Sequence, residues 1–245
     1  MFLQFKVLFY TIFFILGLEI FAFNNEAGVY FSAIILLFSI WGSKKIGNKY
    51  SFVVIPLLFS ISSLMLLYLI DSMVEKQIFI LFSIFLYYLC LLGIYRLKIY
   101  SKDQTARGMI AASATATLFL FYTSFYGIYL NFPIPLWTLM AFFLVVTILT
   151  SFQYFSLIEE QKKKVLIYSI ILGMVMMEIT CVINFWPFGY LTTGVITLIF
   201  YYICWDLTQS YFLKILSKKR VVANVIFFSF LIILILTSSK WLPVV

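Results

Sequence analysis

The sequence predicts an all-α polytopic membrane bundle, and three observations carry that prediction. Only 11% of its 245 residues are charged, against 64% apolar, whereas a soluble domain has about 25% charged residues with which to coat itself. The apolar residues fall in continuous runs of roughly 20, the length a helix needs to cross a hydrocarbon layer about 30 Å thick. The breaks between runs alternate between strongly basic and nearly uncharged. Continuous hydrophobicity excludes the alternating strands of an outer-membrane barrel. With 10 Gly, 5 Pro and 3 Cys, collagen-like, disordered and disulfide-stapled chains are excluded as well.

Nine spans are expected, at roughly 3–23, 28–42, 51–71, 77–95, 109–130, 136–158, 165–185, 190–212 and 221–239, within a single integral membrane domain covering 1–245. The second is the shortest. The first carries Lys6 and a long apolar stretch, but Glu19 lies in it and no A-x-A-like site precedes Asn24 and Asn25; it is expected to be a retained span. One set of breaks and ends holds Lys6, then Lys44, Lys45 and Lys49, then Arg96 to Arg107, then Lys162 to Lys164, then Lys214 to Arg220, together 15 of the 17 basic residues. The opposite set holds only Lys76 and Lys240. Basic residues favour the cytoplasmic side, so the N-terminus is expected inside, the C-terminus outside, and the chain in a bacterial inner membrane. The net charge of +8 then reflects topology and anionic lipid headgroups, and no nucleic acid is expected as a partner.

Tryptophan favours the headgroup boundary. Trp41, Trp137, Trp186 and Trp241 fall at predicted span ends, whereas Trp205 does not. There is no histidine, which removes His-ligated metals, His-ligated haem and Ser-His hydrolases. No Gly-rich phosphate loop is present either, so neither a metal nor a cofactor is expected. Cys90, Cys181 and Cys204 lie inside spans and read as small apolar filler.

Acids inside spans carry the most information, because a carboxylate near the bilayer centre costs about 2.5–3.5 kcal/mol on insertion scales. Counting from Val165 at 1.5 Å per residue places Glu178 about 20 Å into the core, and counting from Leu3 places Glu19 about 22 Å in. Both are candidate ion- or substrate-binding residues. The competing reading of Glu19 is a snorkelling residue near the end of its span, and that of Glu178 a structural bond to a neighbouring helix. Asp206 lies toward the basic side, and a structural ion pair with Lys214, or with a basic residue on an adjacent inner loop, is expected. Asp71, Glu75 and Glu26 sit at outer edges.

Two outer turns share a texture, Asn131-Phe132-Pro133 and Asn184-Phe185-Trp186-Pro187. Asn131 and Asn184 are expected as structural polar residues in rigid turns, with a lid over a pocket floored by Glu178 as the sharper reading. Aligned on Asn-Phe, 109–158 and 165–212 could form a weak parallel repeat. Ala112 with Ala116, and Ser113 with Thr117, have the small-x-x-x-small spacing of a helix interface, within the bundle or against a second protein or copy. Pro56 is expected to bend the third span.

Glu178, then Trp186 and Pro187 ahead of a helix bearing Tyr201-Tyr202, then the basic turn Lys218-Lys219-Arg220 and a last helix ending at Trp241, form a pattern. From about Asn131 to Trp241 it resembles a group of uncharacterised multi-pass membrane proteins of candidate-phylum bacteria. The resemblance implies topology and an interest in Glu178, and brings no function with it. The function expected from the residues is permease-like, with a buried carboxylate site for an ion or a small or lipid-like substrate. A non-catalytic membrane subunit or assembly factor is the first alternative. An intramembrane enzyme acting on a lipid-linked substrate comes last, for want of a nucleophile or metal set.

Overall fold

The computed structural model describes residues 2–23 and 25–239. Among them are nine α-helices and no strand: α1 Phe2–Phe23, α2 Asn25–Gly47, α3 Val54–Leu69, α4 Met73–Ile99, α5 Gln104–Asn131, α6 Leu136–Phe155, α7 Lys162–Ile183, α8 Tyr190–Phe212 and α9 Lys218–Ser238. Eight of the nine are long and apolar enough to cross a membrane, the chain being a multi-pass, all-α membrane protein. The exception is α2, which is longer than the predicted 28–42 but carries Ser39, Ser43, Lys44 and Lys45 in its last turns. Helices are the natural state of such runs because every backbone group in hydrocarbon must be satisfied within the segment. Lys240 and Trp241 lie outside the described residues, as does Asn24.

The chain divides into two compact units, Met1–Phe121 and Tyr122–Val245, with the boundary inside α5. In the first unit α1 and α2 are antiparallel neighbours in close register. Tyr10 packs on the backbone of Gly42, where an added Cβ would lie 2.7 Å from the ring, and Ile35 occupies the space a Cβ on Gly17 would need. The Phe13 and Phe38 rings stack at 4.6 Å. On the other side of α1, Phe14 stacks on Tyr87 of α4 at 4.1 Å. A hydroxyl cluster ties α2, α3 and α4 together: the Tyr87 hydroxyl donates to Ser39 Oγ at 3.0 Å, and Ser39 and Ser60 share a hydrogen bond of 2.7 Å.

One expectation is corrected here, and a second is resolved by face. Pro56 does not bend the middle of a span. A single 3-10 turn at Tyr50–Phe52 precedes α3, and Pro56 stands in the first turn of that helix, where the missing N–H has no intrahelical acceptor to lose. The small-residue set of α5 also splits by face. Ser113 and Thr117 are buried, Ala116 is half-buried and Ala112 is exposed. Ser113 Oγ donates to Met109 O of its own helix at 2.9 Å and reaches Leu86 O of α4 at 3.3 Å. The α4–α5 contact in this unit therefore uses Ser113, together with Ile110, Ala106 and Met109 against Gly93.

In the second unit the core includes Phe143 and Phe155 of α6, Val165 and Met176 of α7, and Tyr201 of α8. Tyr122 at the unit's start stacks on Phe143 at 4.6 Å and shares a 2.7 Å hydrogen bond with Thr147 Oγ1. Trp205, the tryptophan away from a span boundary, is a core residue, with its ring 5.1 Å from that of Tyr154 and 5.3 Å from that of Tyr202. α8 stops at Lys214, whose φ of 58° breaks the helix and whose neighbour Ile215 donates its N–H to Ser210 O at 3.0 Å. That left-handed stop is usually made by glycine.

Candidate functional site

Glu178 stands five residues before the end of α7, and its side chain faces outward. The helical repeat places it in line with Ile167, Ile171, Met174, Val182 and Phe185, all exposed, while the opposite face, Leu172, Met176, Thr180 and Ile183, is buried. The Glu178 side chain is exposed and has no hydrogen bond or ion pair among the described residues. Expected at a polar site inside the bundle, it instead interrupts an apolar stripe that the second unit turns away from itself.

Glu19 has a different environment. It is half-buried on α1, and its Oε2 accepts a hydrogen bond of 2.9 Å from Gln77 Nε2 of α4. The amide lies across the helix pair, so Glu19 is tied into the first unit and is not simply an end residue reaching for the membrane surface.

Asp206 is held at both oxygens. Arg220 Nη2 donates to Oδ1 at 3.0 Å and Asn224 Nδ2 donates to Oδ2 at 2.5 Å. The partner is thus Arg220 from the following helix and not Lys214, because the left-handed stop at Lys214 ends α8 two turns beyond the acid. These bonds, with the Tyr202 and Phe228 rings at 5.1 Å, attach α9 to α8. α9 otherwise exposes Val222, Ile226, Phe230 and Ile233.

The two asparagines of the outer turns do different work. Asn131 Nδ2 donates to Gly127 O at 2.8 Å and completes the end of its own helix. Asn184 Oδ1 accepts from the Tyr126 hydroxyl at 3.2 Å, linking the end of α7 to the last turns of α5. Near the basic ends, burial pushes the Asp103 carboxyl upward, but the Ala106 N–H and the Arg96 guanidinium outweigh it and hold it below its usual range. Glu159 is lowered chiefly by the Gln161 N–H, with burial opposing and Lys164 adding to the lowering at 3.5 Å.

Sequence reasoning overlooked the buried hydroxyls of the second unit. Thr123, Thr150, Thr193 and Ser210 are each at most 1% exposed, and their side-chain oxygens have no hydrogen-bond partner among the described residues. Gly194 lies directly against Thr123, 2.1 Å from its Oγ1 if given a Cβ. A signal was present in the threonine spacing of Thr147 and Thr150 on α6 and of Thr193 and Thr197 on α8, which recurs at three and four residues and so lines one helix face. Among the described residues no three Asp, Glu or Cys side chains gather as a metal ion would require, and all three cysteines are free.

No curated protein and no solved structure matches the chain. Residues 40–238, which include Glu178 and Asp206 and exclude α1, match the family described as protein of unknown function DUF5656, and the chain belongs to that family.

Proposed function

We propose that the protein is a non-catalytic membrane subunit or assembly factor that binds a partner's transmembrane helix along the outward face of α7, with Glu178 as the polar anchor. The basic loops face the cytoplasm, the N-terminus is inside, and the membrane is a bacterial cytoplasmic membrane. The observation that carries the reading is Glu178 itself, exposed and unpaired in the middle of an apolar stripe. In lipid that placement costs about 2.5–3.5 kcal/mol, and an interhelical hydrogen bond or ion pair offsets it. The complement such a carboxyl calls for is a spanning helix with a basic or amide side chain, and the partner proposed is a different protein that carries one.

The test places a photo-crosslinking residue at Met174 in cells expressing the full chain. The expected adduct joins one membrane protein through a span bearing Lys, Arg, Asn or Gln. It is lost in Glu178→Leu, retained in Glu178→Gln, and lost again when the partner's polar residue is changed to Leu. An adduct at twice the chain's own mass would replace the partner by a second copy, and adducts with lipid alone would overturn the reading.

The buried hydroxyls favour a second reading, a permease for an ion or small polar substrate through the second unit. Thr123, Thr150 and Thr193 offer oxygens that no described residue satisfies, as a polar path would. In proteoliposomes Thr150→Val would then lower cation or proton flux while leaving the folded yield unchanged. Flux equal to that of empty vesicles for the unaltered chain removes this reading.

A further inference from the structure

The α1–α2 seam, remote in sequence from α7, carries a second chemical pattern. Packing of Tyr10 on Gly42 and of Phe13 on Phe38 fixes the register of these antiparallel helices. That register brings Lys6 of α1 level with Lys45 of α2, and both line a cavity of about 510 Å³ with Leu8, Phe9 and Ile12. Lys45 Nζ lies 4.8 Å over the ring of Trp41, an exposed indole of the kind that marks the headgroup layer. Further along the same stripe a second cavity of about 140 Å³ is lined wholly by apolar residues, Leu16, Ile20 and Ile34 among them. Phe9 and Phe13, 4.8 Å apart, connect the two linings.

We propose that this seam binds one anionic diacyl phospholipid, its phosphate held between the Lys6 and Lys45 ammonium groups and an acyl chain laid along Phe9, Ile12, Leu16 and Ile20. The charge arrangement selects the headgroup: two cations at one level meet a phosphate, and no carboxylate lines either cavity. Shape selects the tail. Helices whose backbones approach at Gly17 and Gly42 leave a slot that a methylene chain can enter, whereas a third helix is about 10 Å across. The lower slot offers no hydrogen-bonding side chain, so it suits hydrocarbon and not a soluble anion.

The test is native mass spectrometry of the full chain released from nanodiscs containing phosphatidylglycerol and phosphatidylcholine with identical acyl chains. One retained phosphatidylglycerol per chain is expected. Lys6→Gln or Lys45→Gln should weaken retention about fivefold each, and the pair on the order of 25-fold. Lys98→Gln with Lys102→Gln, which removes two charges from the same side of the membrane away from the seam, should leave it unchanged. Leu16→Trp fills the slot without touching charge and should also weaken retention. Should a lysine variant fold poorly, Lys6→Arg with Lys45→Arg keeps the charge and should retain the lipid. Equal retention of both lipids, an equal loss in the Lys98 and Lys102 control, or displacement by soluble glycerol phosphate at lipid-equivalent concentration would overturn the proposal. So would a photo-crosslinker at Ile12 that captures polypeptide in place of lipid.

Discussion

Glu19 and Glu178 are the same residue at nearly the same depth along their helices, and the two units treat them in opposite ways. In the first unit α4 brings the Gln77 amide to 2.9 Å of the Glu19 carboxyl. In the second, nothing meets Glu178 among the described residues, and its neighbours along the helix face are exposed Ile171, Met174 and Val182. The hydroxyls repeat the contrast. Ser39, Ser60 and Tyr87 close a cluster in the first unit, while Thr123, Thr150 and Thr193 of the second have oxygens without partners among the described residues. Buried polarity in the first unit is largely met by its own fold, Ser63 Oγ and Arg107 Nε excepted, and in the second more of it lacks a partner among the described residues, beside the closed pairs Tyr122–Thr147 and Ser151–Tyr201. Glu178 is left over on the surface, and an exposed polar group in a membrane marks where the molecule meets something else.

The largest expected effect separates the two glutamates by sign. Glu178→Leu should ease insertion of the α7 segment by about 2.5–3.5 kcal/mol in a translocon glycosylation assay, and should leave the purified chain at least as stable to heat. Glu19→Leu removes a similar insertion cost but leaves the Gln77 amide unpaired, so the folded chain should lose about 1–2 kcal/mol. If Glu178→Leu destabilises the purified chain as Glu19→Leu does, Glu178 has a partner within the fold and the contrast collapses. Next in size is the pair itself. A double-mutant cycle with Glu19→Leu and Gln77→Leu should give a coupling of about 0.6–1.7 kcal/mol by steric-trap or denaturant unfolding, and a coupling near zero would show the hydrogen bond to be idle. The hydroxyls supply a third comparison. Tyr87→Phe should cost about 1 kcal/mol, whereas Thr150→Val, which deletes an unsatisfied oxygen, should be neutral or stabilising. Thermal unfolding of the two variants side by side decides it.

Much of this architecture was legible in the sequence, for a physical reason. Hydrocarbon thickness and the need to satisfy the backbone fix the length of every span, so the predicted 190–212 coincides with α8 and the other ends move by at most five residues. Rotation about each helix axis was not legible. A helix that is apolar all round carries almost no moment to say which face turns inward, so depth along the chain gave the cost of Glu178 and Glu19 but not that one would meet an amide and the other face outward. The same blindness leaves open which of the pairs Ala112–Ala116 and Ser113–Thr117 packs within the bundle; Ser113 and Thr117 are buried and Ala112 is exposed. Asp206 was assigned a basic partner by charge and side of the membrane alone. The choice of Arg220 over Lys214 depended on the left-handed turn at Lys214, which no glycine announced. Pro56 was misread because its effect depends on which turn of the helix it occupies.

The smallest expected effect compares the units at their basic ends, where both carboxylates are partnered. Asp103 and Glu159 are each held below their ordinary values, 3.8 and 4.5. A carboxylate lowered by folding contributes stability that is complete above its unfolded value and disappears as pH falls through the folded one. The thermal midpoint should therefore be flat from pH 7 down to about 5 and decline below about 4.5. The decline should be shallow and should shrink with added salt, since both groups sit near water. Asp103→Asn should remove the part attributable to the first unit and Glu159→Gln that of the second, measured by thermal unfolding in detergent between pH 3 and 7. A decline that survived both substitutions would show that neither carboxylate contributes to acid stability, and the basic ends of the two units would then not differ in this respect.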